Sequence, residues 1–131
     1  MITIQKVHHI AIICSDYKKS KEFYTQILGF QIENEIYREE RDSYKLDLSL
    51  DGNYLIELFS FPNPPARKTQ PEATGLRHIA FSVENIDAAV KQLETSKIDV
   101  ESIRIDPYTN KRFTFFYDPD NLPIELYESN E

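Results

Sequence analysis

The spacing of apolar and polar residues in the first half of the chain predicts one helix and four strands. Asp16 is a suitable N-cap for the helix, an apolar stripe at helical spacing follows it, and Gly29 supplies the stop. The Asp51-Gly52-Asn53 segment between two alternating runs is a strong hairpin signal. In order, the pattern predicts a strand, a helix and three strands at residues 5–14, 16–29, 30–37, 43–50 and 54–61.

The second half repeats this order. Asn85 or Asp87 caps the predicted helix, and the Asp118-Pro119-Asp120-Asn121 turn joins the last two strands. The predicted strand, helix and three strands span residues 77–83, 85–96, 100–105, 112–117 and 122–127. Each half therefore reads βαβββ, and the fold class is α+β.

Two short motifs recur at nearly equal spacing. Residues 7–12 (VHHIAI) match residues 76–81 (LRHIAF), and residues 54–59 (YLIELF) match residues 122–127 (LPIELY). The offset is 69 residues between His9 and His78 and 68 residues between Glu57 and Glu125. Two motifs in the same order at nearly equal offsets indicate an internal duplication.

The duplication predicts a single domain over residues 1–131, built of two modules at 1–61 and 75–131. A proline-rich connector, residues 62–74, joins them. We interpret it as a stiffened linker, with a loop that walls a substrate pocket as the alternative.

Composition narrows the range of functions. The net charge of −7 argues against nucleic acid, which requires clustered Lys and Arg. The longest apolar run, residues 10–14, is too short to span a membrane. Cys14 is the only cysteine and forms no intrachain disulfide, so we expect a cytoplasmic protein.

The repeated histidines and glutamates are the candidate site. Because a buried carboxylate needs a compensating charge, Glu57 and Glu125 in mainly apolar strands require a partner. An isolated His–Glu pair is an ordinary core feature, but a pseudo-twofold would bring both pairs together, where two carboxylates repel without a cation between them. We therefore predict one divalent metal ion, held by His9, Glu57, His78 and Glu125.

This ligand set limits the candidate metal ions but does not identify one of them. Two imidazoles and two carboxylates, without thiolates, suit Zn, Ni, Mn, Co or Fe(II) with open positions for water or substrate. His8 is one residue out of the repeat and should face away from His9.

A wider pattern links these residues to a known superfamily. Its carriers are residues 9–12 (HIAI), Asp16, Ser20, Phe23, Tyr24, residues 28–30 (LGF), residues 57–58 (EL), residues 75–81 (GLRHIAF), residues 118–120 (DPD) and residues 124–126 (IEL). In this order and spacing the chain resembles the vicinal oxygen chelate superfamily. That superfamily includes glyoxalase I, methylmalonyl-CoA epimerase, extradiol dioxygenases and the fosfomycin- and bleomycin-resistance proteins.

The resemblance implies two tandem βαβββ modules that form a curved mixed sheet around a central metal site, commonly in a homodimer. It also implies a lyase or isomerase of the lactoylglutathione lyase type, whose small substrate chelates the metal through two adjacent oxygens. Glu125, or alternatively Glu57, would then move a proton as the catalytic carboxylate.

The chain departs from glyoxalase I at two positions that hold glutathione in bacterial members of that family. Ile13 and Phe61 stand there, and neither binds a carboxylate or an amide, which argues against a glutathione thioester product. An Fe(II) ring-cleaving dioxygenase and a non-enzymatic antibiotic-binding protein are the alternatives. Candidate substrate contacts at the mouth of the site are Arg41, Tyr44, Lys45, Arg112 and Tyr127.

Overall fold

The computed structural model describes residues 1–129 and divides into two compact units, Met1–Ala66 and Arg67–Glu131. Each unit contains a four-stranded mixed sheet and a helix, which confirms the predicted α+β class. No helix among the described residues has the length and apolarity needed to cross a membrane. The module boundaries 1–61 and 75–131 stay a prediction.

The first unit has the strand order β1-β4-β3-β2, with β1 parallel to β4 and the other pairs antiparallel. Asp16 caps the helix as predicted, since its side chain accepts a hydrogen bond from the Lys19 N–H. The helix widens into a π-helical turn and ends at Gly29, whose φ of +81° suits glycine. The elements are β1 (Ile10–Cys14), α1 (Tyr17–Glu22), the π-helical turn (Phe23–Ile27), β2 (Gln31–Arg38), a 3-10 turn (Glu39–Arg41), β3 (Ser43–Leu50) and β4 (Asn53–Ser60).

The second unit has the equivalent order β5-β8-β7-β6, again with one parallel pair, β5 with β8. Asn85, one of the two predicted caps, accepts a hydrogen bond from the Ala88 N–H. The elements are β5 (Ile79–Val83), α2 (Ile86–Thr95), β6 (Arg104–Ile105), β7 (Arg112–Tyr117) and β8 (Pro123–Glu128).

Each sheet buries one face under its helix and leaves the other more open. On β4, Ile56 and Leu58 are fully buried, whereas the alternate residues Glu57 and Phe59 are only half-buried. Strand alternation produces this division. We call the less buried side the open face of each sheet.

The first strand of each unit starts later than predicted, at Ile10 rather than residue 5 and at Ile79 rather than residue 77. In the first unit, the position opposite His9 on β4 is Leu55, an extra residue that β3 leaves unpaired. In the second, β8 begins at Pro123, which has no N–H to extend the ladder. Both candidate histidines therefore lie immediately before a strand.

Candidate metal centre

His9 and Glu57 form a pair in the first unit. The His9 Nε2 lies 3.8 Å from the Glu57 Oε1, and the glutamate side chain is only 15% exposed. Ala11 is the register partner of Glu57 in the parallel β1–β4 pair. Because alanine is small, the open face beside this carboxylate has room for a ligand.

The second carboxylate oxygen of Glu57 is held by neighbouring side chains. The Tyr54 hydroxyl donates to the Glu57 Oε2 at 3.0 Å, and the Lys45 Nζ lies 3.5 Å from the same atom. Asp47 joins both donors, at 3.1 Å from the tyrosine hydroxyl and 2.8 Å from the lysine. The Oε1 atom therefore stays oriented toward His9.

The ionisation of these groups follows from their contacts. Burial and the hydrogen bond to Glu57 raise the pKa of Tyr54, so the phenol keeps its proton and donates it. The hydrogen bond to Asp47 raises the pKa of Lys45, which stays a cation. Glu57 is thus surrounded by polar groups, contrary to the apolar neighbourhood expected from its own strand.

Tyr54 and Asp47 were not singled out from the sequence. Asp47 is the direct cross-strand partner of Glu57 only because β4 has the unpaired Leu55, since a regular hairpin would place Asp47 opposite Ile56. Tyr54 reaches the same face only because β4 carries the unpaired Leu55, which shifts the alternation by one residue.

His8 lies against His9 instead of facing away, which corrects the expectation from strand alternation. The two Nδ1 atoms are 2.8 Å apart, and Tyr54 stacks on the His9 ring with the centroids 5.3 Å apart. Alternation does not apply here because the ladder starts at Ile10. If His9 donates its Nδ1–H to His8, its Nε2 lone pair faces Glu57, which is the tautomer that a metal ligand requires.

His78 and Glu125 form the equivalent pair in the second unit. The His78 Nε2 lies 3.3 Å from the Glu125 Oε1, and the glutamate side chain is again 15% exposed. Ala80 is the register partner of Glu125, as Ala11 is of Glu57. The duplicated sequence thus produces the same local arrangement in each unit.

The surroundings of the second pair are aromatic. Phe115 lies directly opposite Glu125 and meets the His78 ring edge-on, with the centroids 5.1 Å apart. Apart from His78, no side chain in the described part of the chain bonds to Glu125. The Arg77 Nη1 lies 2.9 Å from the His78 Nδ1 and can only donate to it, which places the ring proton on Nε2, so a cation could bind Nε2 only after this contact breaks. The apolar neighbourhood expected for both carboxylates is therefore found for Glu125 alone.

A pocket of about 200 Å³ adjoins the second pair. Arg77 and Phe115, which contact His78, also line it, together with residues 67–70 of the connector. Arg67 donates to the carbonyl oxygens of Leu76 and Arg77, and Thr69 donates to the Asn121 carbonyl oxygen. Residues 67–70 of the predicted connector thus pack against neighbouring backbone and line this pocket.

The five residues predicted to contact the substrate at the mouth of the site differ from one another in their surroundings. Three belong to structural contacts: Arg112 pairs with Asp87 and Glu128, Tyr127 donates to Asp106, and Tyr44 stacks on Tyr17. Lys45 contacts Glu57, as described above, and Arg41 stacks on Phe61.

Each pair supplies one nitrogen and one oxygen ligand, which is half of the predicted set. Within the described part of either unit, no group of three or more His, Cys, Asp or Glu side chains could hold a metal ion. Imidazole with carboxylate is nevertheless the donor chemistry of Zn, Mn, Ni, Co and Fe(II). Each pair thus has the donor types that such an ion prefers.

Comparisons with known proteins cover nearly the whole chain. Residues 6–126 match the model of the Glyoxalase/Bleomycin resistance protein/Dioxygenase superfamily. The chain is 66% identical to the uncharacterized protein YwkD of Bacillus subtilis, over 95% of this chain and 98% of that one. It is 63% identical to the uncharacterized protein YaeR of Escherichia coli, over 98% and 99%.

A solved structure and two more distant relatives complete the comparison. The glyoxalase family protein from Enterococcus faecalis has a TM-score of 0.88 and 45% identity, over 95% of this chain and 98% of that one. Lactoylglutathione lyase of Schizosaccharomyces pombe is 27% identical, over 96% of this chain and 48% of its own length. Human methylmalonyl-CoA epimerase is 34% identical, over 71% and 54%.

Proposed function

Because the chain belongs to the Glyoxalase/Bleomycin resistance protein/Dioxygenase superfamily, we propose that it is a metal-dependent lyase or isomerase of the glyoxalase type. Its substrate is a small molecule with two adjacent oxygens. His9, Glu57, His78 and Glu125 share one divalent cation, Zn, Ni, Mn, Co or Fe(II), either within one chain or across a homodimer.

The observation that carries the proposal is the repetition of one His–Glu pair beside one alanine in both units. A cation bound by a single pair would have only two protein ligands, whereas enzyme metal sites usually have three or four. Two pairs together supply four, and their two negative charges offset the dication.

The two glutamates are suited to different tasks. Tyr54 and Lys45 fix Glu57, so it acts as a permanent ligand. Glu125 has no such restraint and lies beside Phe115. Glu125 is therefore placed to take the proton from the substrate carbon and return it, and a cation held at the site would supply Lewis-acid stabilisation of negative charge on the substrate oxygens.

The relatives favour this reaction class. Two relatives are, by their names, a lyase of lactoylglutathione and an epimerase of methylmalonyl-CoA. The side chains of Ile13 and Phe61 on this chain offer nothing polar to a glutathione tail. The substrate is thus a small carbonyl compound, free or attached to another thiol.

Proton exchange in deuterium oxide tests the reaction. The Ni- or Mn-loaded protein would be incubated with methylglyoxal and glutathione, with methylglyoxal and other thiols such as coenzyme A, and with small 2-hydroxycarbonyl compounds. We expect ¹H NMR to show loss of the C–H signal next to a carbonyl group in at least one mixture. Glu125→Gln should slow this exchange by about 10²- to 10⁴-fold, the usual contribution of a general base.

Glu94→Gln is the control, since Glu94 is an exposed carboxylate on α2 and should leave the rate unchanged. Equal rates in wild type and Glu125→Gln would overturn the assignment of the base. Oxygen consumption with catechols, without any proton exchange, would overturn the reaction class in favour of a ring-cleaving dioxygenase.

A further inference from the structure

Two arginines of the first unit converge on a pair of phenylalanines. The Arg38 guanidinium lies 4.9 Å from the centroid of the Phe59 ring and 5.8 Å from that of Phe61. The Arg41 guanidinium lies 4.8 Å from the Phe61 centroid, and the two rings stack 5.9 Å apart. Two cations thus share one aromatic platform.

Neither arginine pairs with a carboxylate in the described part of the chain, although acidic residues outnumber basic ones by 22 to 15. Arg38 donates one hydrogen bond, to the Ser43 hydroxyl, and its buried Nε–H has no acceptor. The other arginines all have oxygen acceptors from carboxylates or carbonyls: Arg67 with Leu76 and Arg77, Arg77 with Glu72, Arg104 with Glu101, and Arg112 with Asp87 and Glu128.

Arg104 is an arginine with structural contacts only, and it serves as a comparison for Arg38 and Arg41. It also stacks on two phenylalanines, at 5.1 Å from the Phe113 centroid and 5.7 Å from the Phe115 centroid. Unlike Arg38, it donates to a carboxylate, that of Glu101, at 2.7 Å. Stacking on aromatic rings therefore does not explain why Arg38 and Arg41 have no carboxylate partner in the described part of the chain.

The platform lies on the same open face as the first His–Glu pair. Phe59 follows Glu57 by two residues on β4, so both side chains point to one side, about 7 Å apart along the strand. Lys45, the register partner of Phe59, reaches back to Glu57. A small molecule near Glu57 could thus extend one end to the arginines.

We propose that Arg38 and Arg41 form an anion subsite that binds a carboxylate or phosphoryl group of the substrate. Guanidinium groups match the geometry of both oxyanions, and stacking on the rings holds their planes in place. An oxyanion that enters the fork of Arg38 also gives its unsatisfied Nε–H an acceptor, after a small side-chain shift because that atom is covered. Only the claim that one molecule spans this subsite and Glu57 rests on the proposed function.

The first experiment needs no metal. The Nε–H resonances of the arginines would be followed by ¹H–¹⁵N NMR in metal-free protein during titration with inorganic phosphate, at ionic strength held constant with chloride. We expect a saturable shift of the Arg38 signal that Arg41→Gln weakens at least about tenfold and Arg104→Gln leaves unchanged. No saturable shift, or equal loss in Arg104→Gln, would overturn the subsite.

The second experiment uses Mn-loaded protein and compares acetohydroxamate with the monohydroxamates of succinic, glutaric and adipic acid by calorimetry. We expect one of the carboxylate-bearing compounds to bind about tenfold more tightly than acetohydroxamate, and Arg38→Gln or Arg41→Gln to abolish that advantage. Arg41 is exposed, so its variant should fold even if Arg38→Gln does not.

The two experiments separate the two proposals. A phosphate shift without binding of any hydroxamate would support the subsite and count against the metal site. Equal binding of all hydroxamates without a phosphate shift would overturn the subsite and leave the metal site standing.

Discussion

At the scale of single residues, the two carboxylates differ in what holds them. Glu57 accepts a hydrogen bond from Tyr54 and faces Lys45, whereas Glu125 faces Phe115. The two units thus have the same His–Glu pair in different surroundings. Tyr54 and Lys45 restrain one carboxylate, and no comparable donor within residues 1–129 restrains the other.

Tyr54→Phe tests the fixed carboxylate. The hydroxyl has one proton to share between Glu57 and Asp47, so its removal takes that donor from both carboxylates. Because groups that orient a ligand typically contribute 10- to 100-fold to metal affinity, we expect Mn or Ni affinity to fall at least about tenfold in calorimetry. Tyr44→Phe is the control, since the Tyr44 hydroxyl forms no hydrogen bond within residues 1–129; equal affinities of Tyr54→Phe and wild type would refute the role.

At the scale of elements, one bulge and two caps position the site. The unpaired Leu55 brings Tyr54 onto the face of Glu57, and Asp16 and Asn85 start the helices that cover the opposite faces. The caps were predictable because capping is local chemistry. The bulge was not, because it depends on the pairing of β4 with β3.

Asn85→Ala should lower the free energy of unfolding by about 1 kcal/mol, because the Ala88 N–H loses its acceptor. Asn85→Asp restores an acceptor and should stay close to wild type. Urea unfolding followed by circular dichroism measures both variants. An alanine variant as stable as the aspartate variant would show that the cap contributes nothing.

Arg112 connects α2, β7 and β8 through Asp87 and Glu128, and its hydrogen bonds lower the pKa of the buried Glu128. A depressed folded-state pKa stabilises the fold above the ordinary glutamate pKa, and that stabilisation is lost as the pH falls through the depressed value. Arg112→Gln should therefore unfold at lower urea concentration than wild type at pH 7. The gap should narrow at pH 3.5; a gap of the same size at both pH values would contradict this.

At the scale of the whole molecule, the duplication could be recognised in the sequence, and it predicted the fold class. The βαβββ order and both His–Glu pairs were predicted from repeated motifs. The partners of Glu57 were not, since Lys45 and Asp47 lie in another strand and their contacts depend on register. Nor was the packing of Arg67 and Thr69 within the second unit, because side-chain hydrogen bonds to distant carbonyls leave no sequence pattern.

A cation held by both pairs would bind the folded chain but not the unfolded chain. Its binding should therefore increase the free energy of unfolding. At a free metal concentration about 100 times the dissociation constant, the gain is about 2.7 kcal/mol. We expect EDTA to lower the melting temperature in calorimetry and added Mn or Ni to restore it. An unchanged melting temperature would mean that the folded chain binds no metal.

The most direct test of the central claim is the metal content of the chain, measured by ICP mass spectrometry after equilibration with Mn or Ni. If the two pairs share one cation, wild type binds one ion per chain, and His9→Ala and His78→Ala each bind almost none. Two ions per chain in wild type, falling to one in either variant, would show that each pair binds its own metal, and no bound ion would contradict the site altogether.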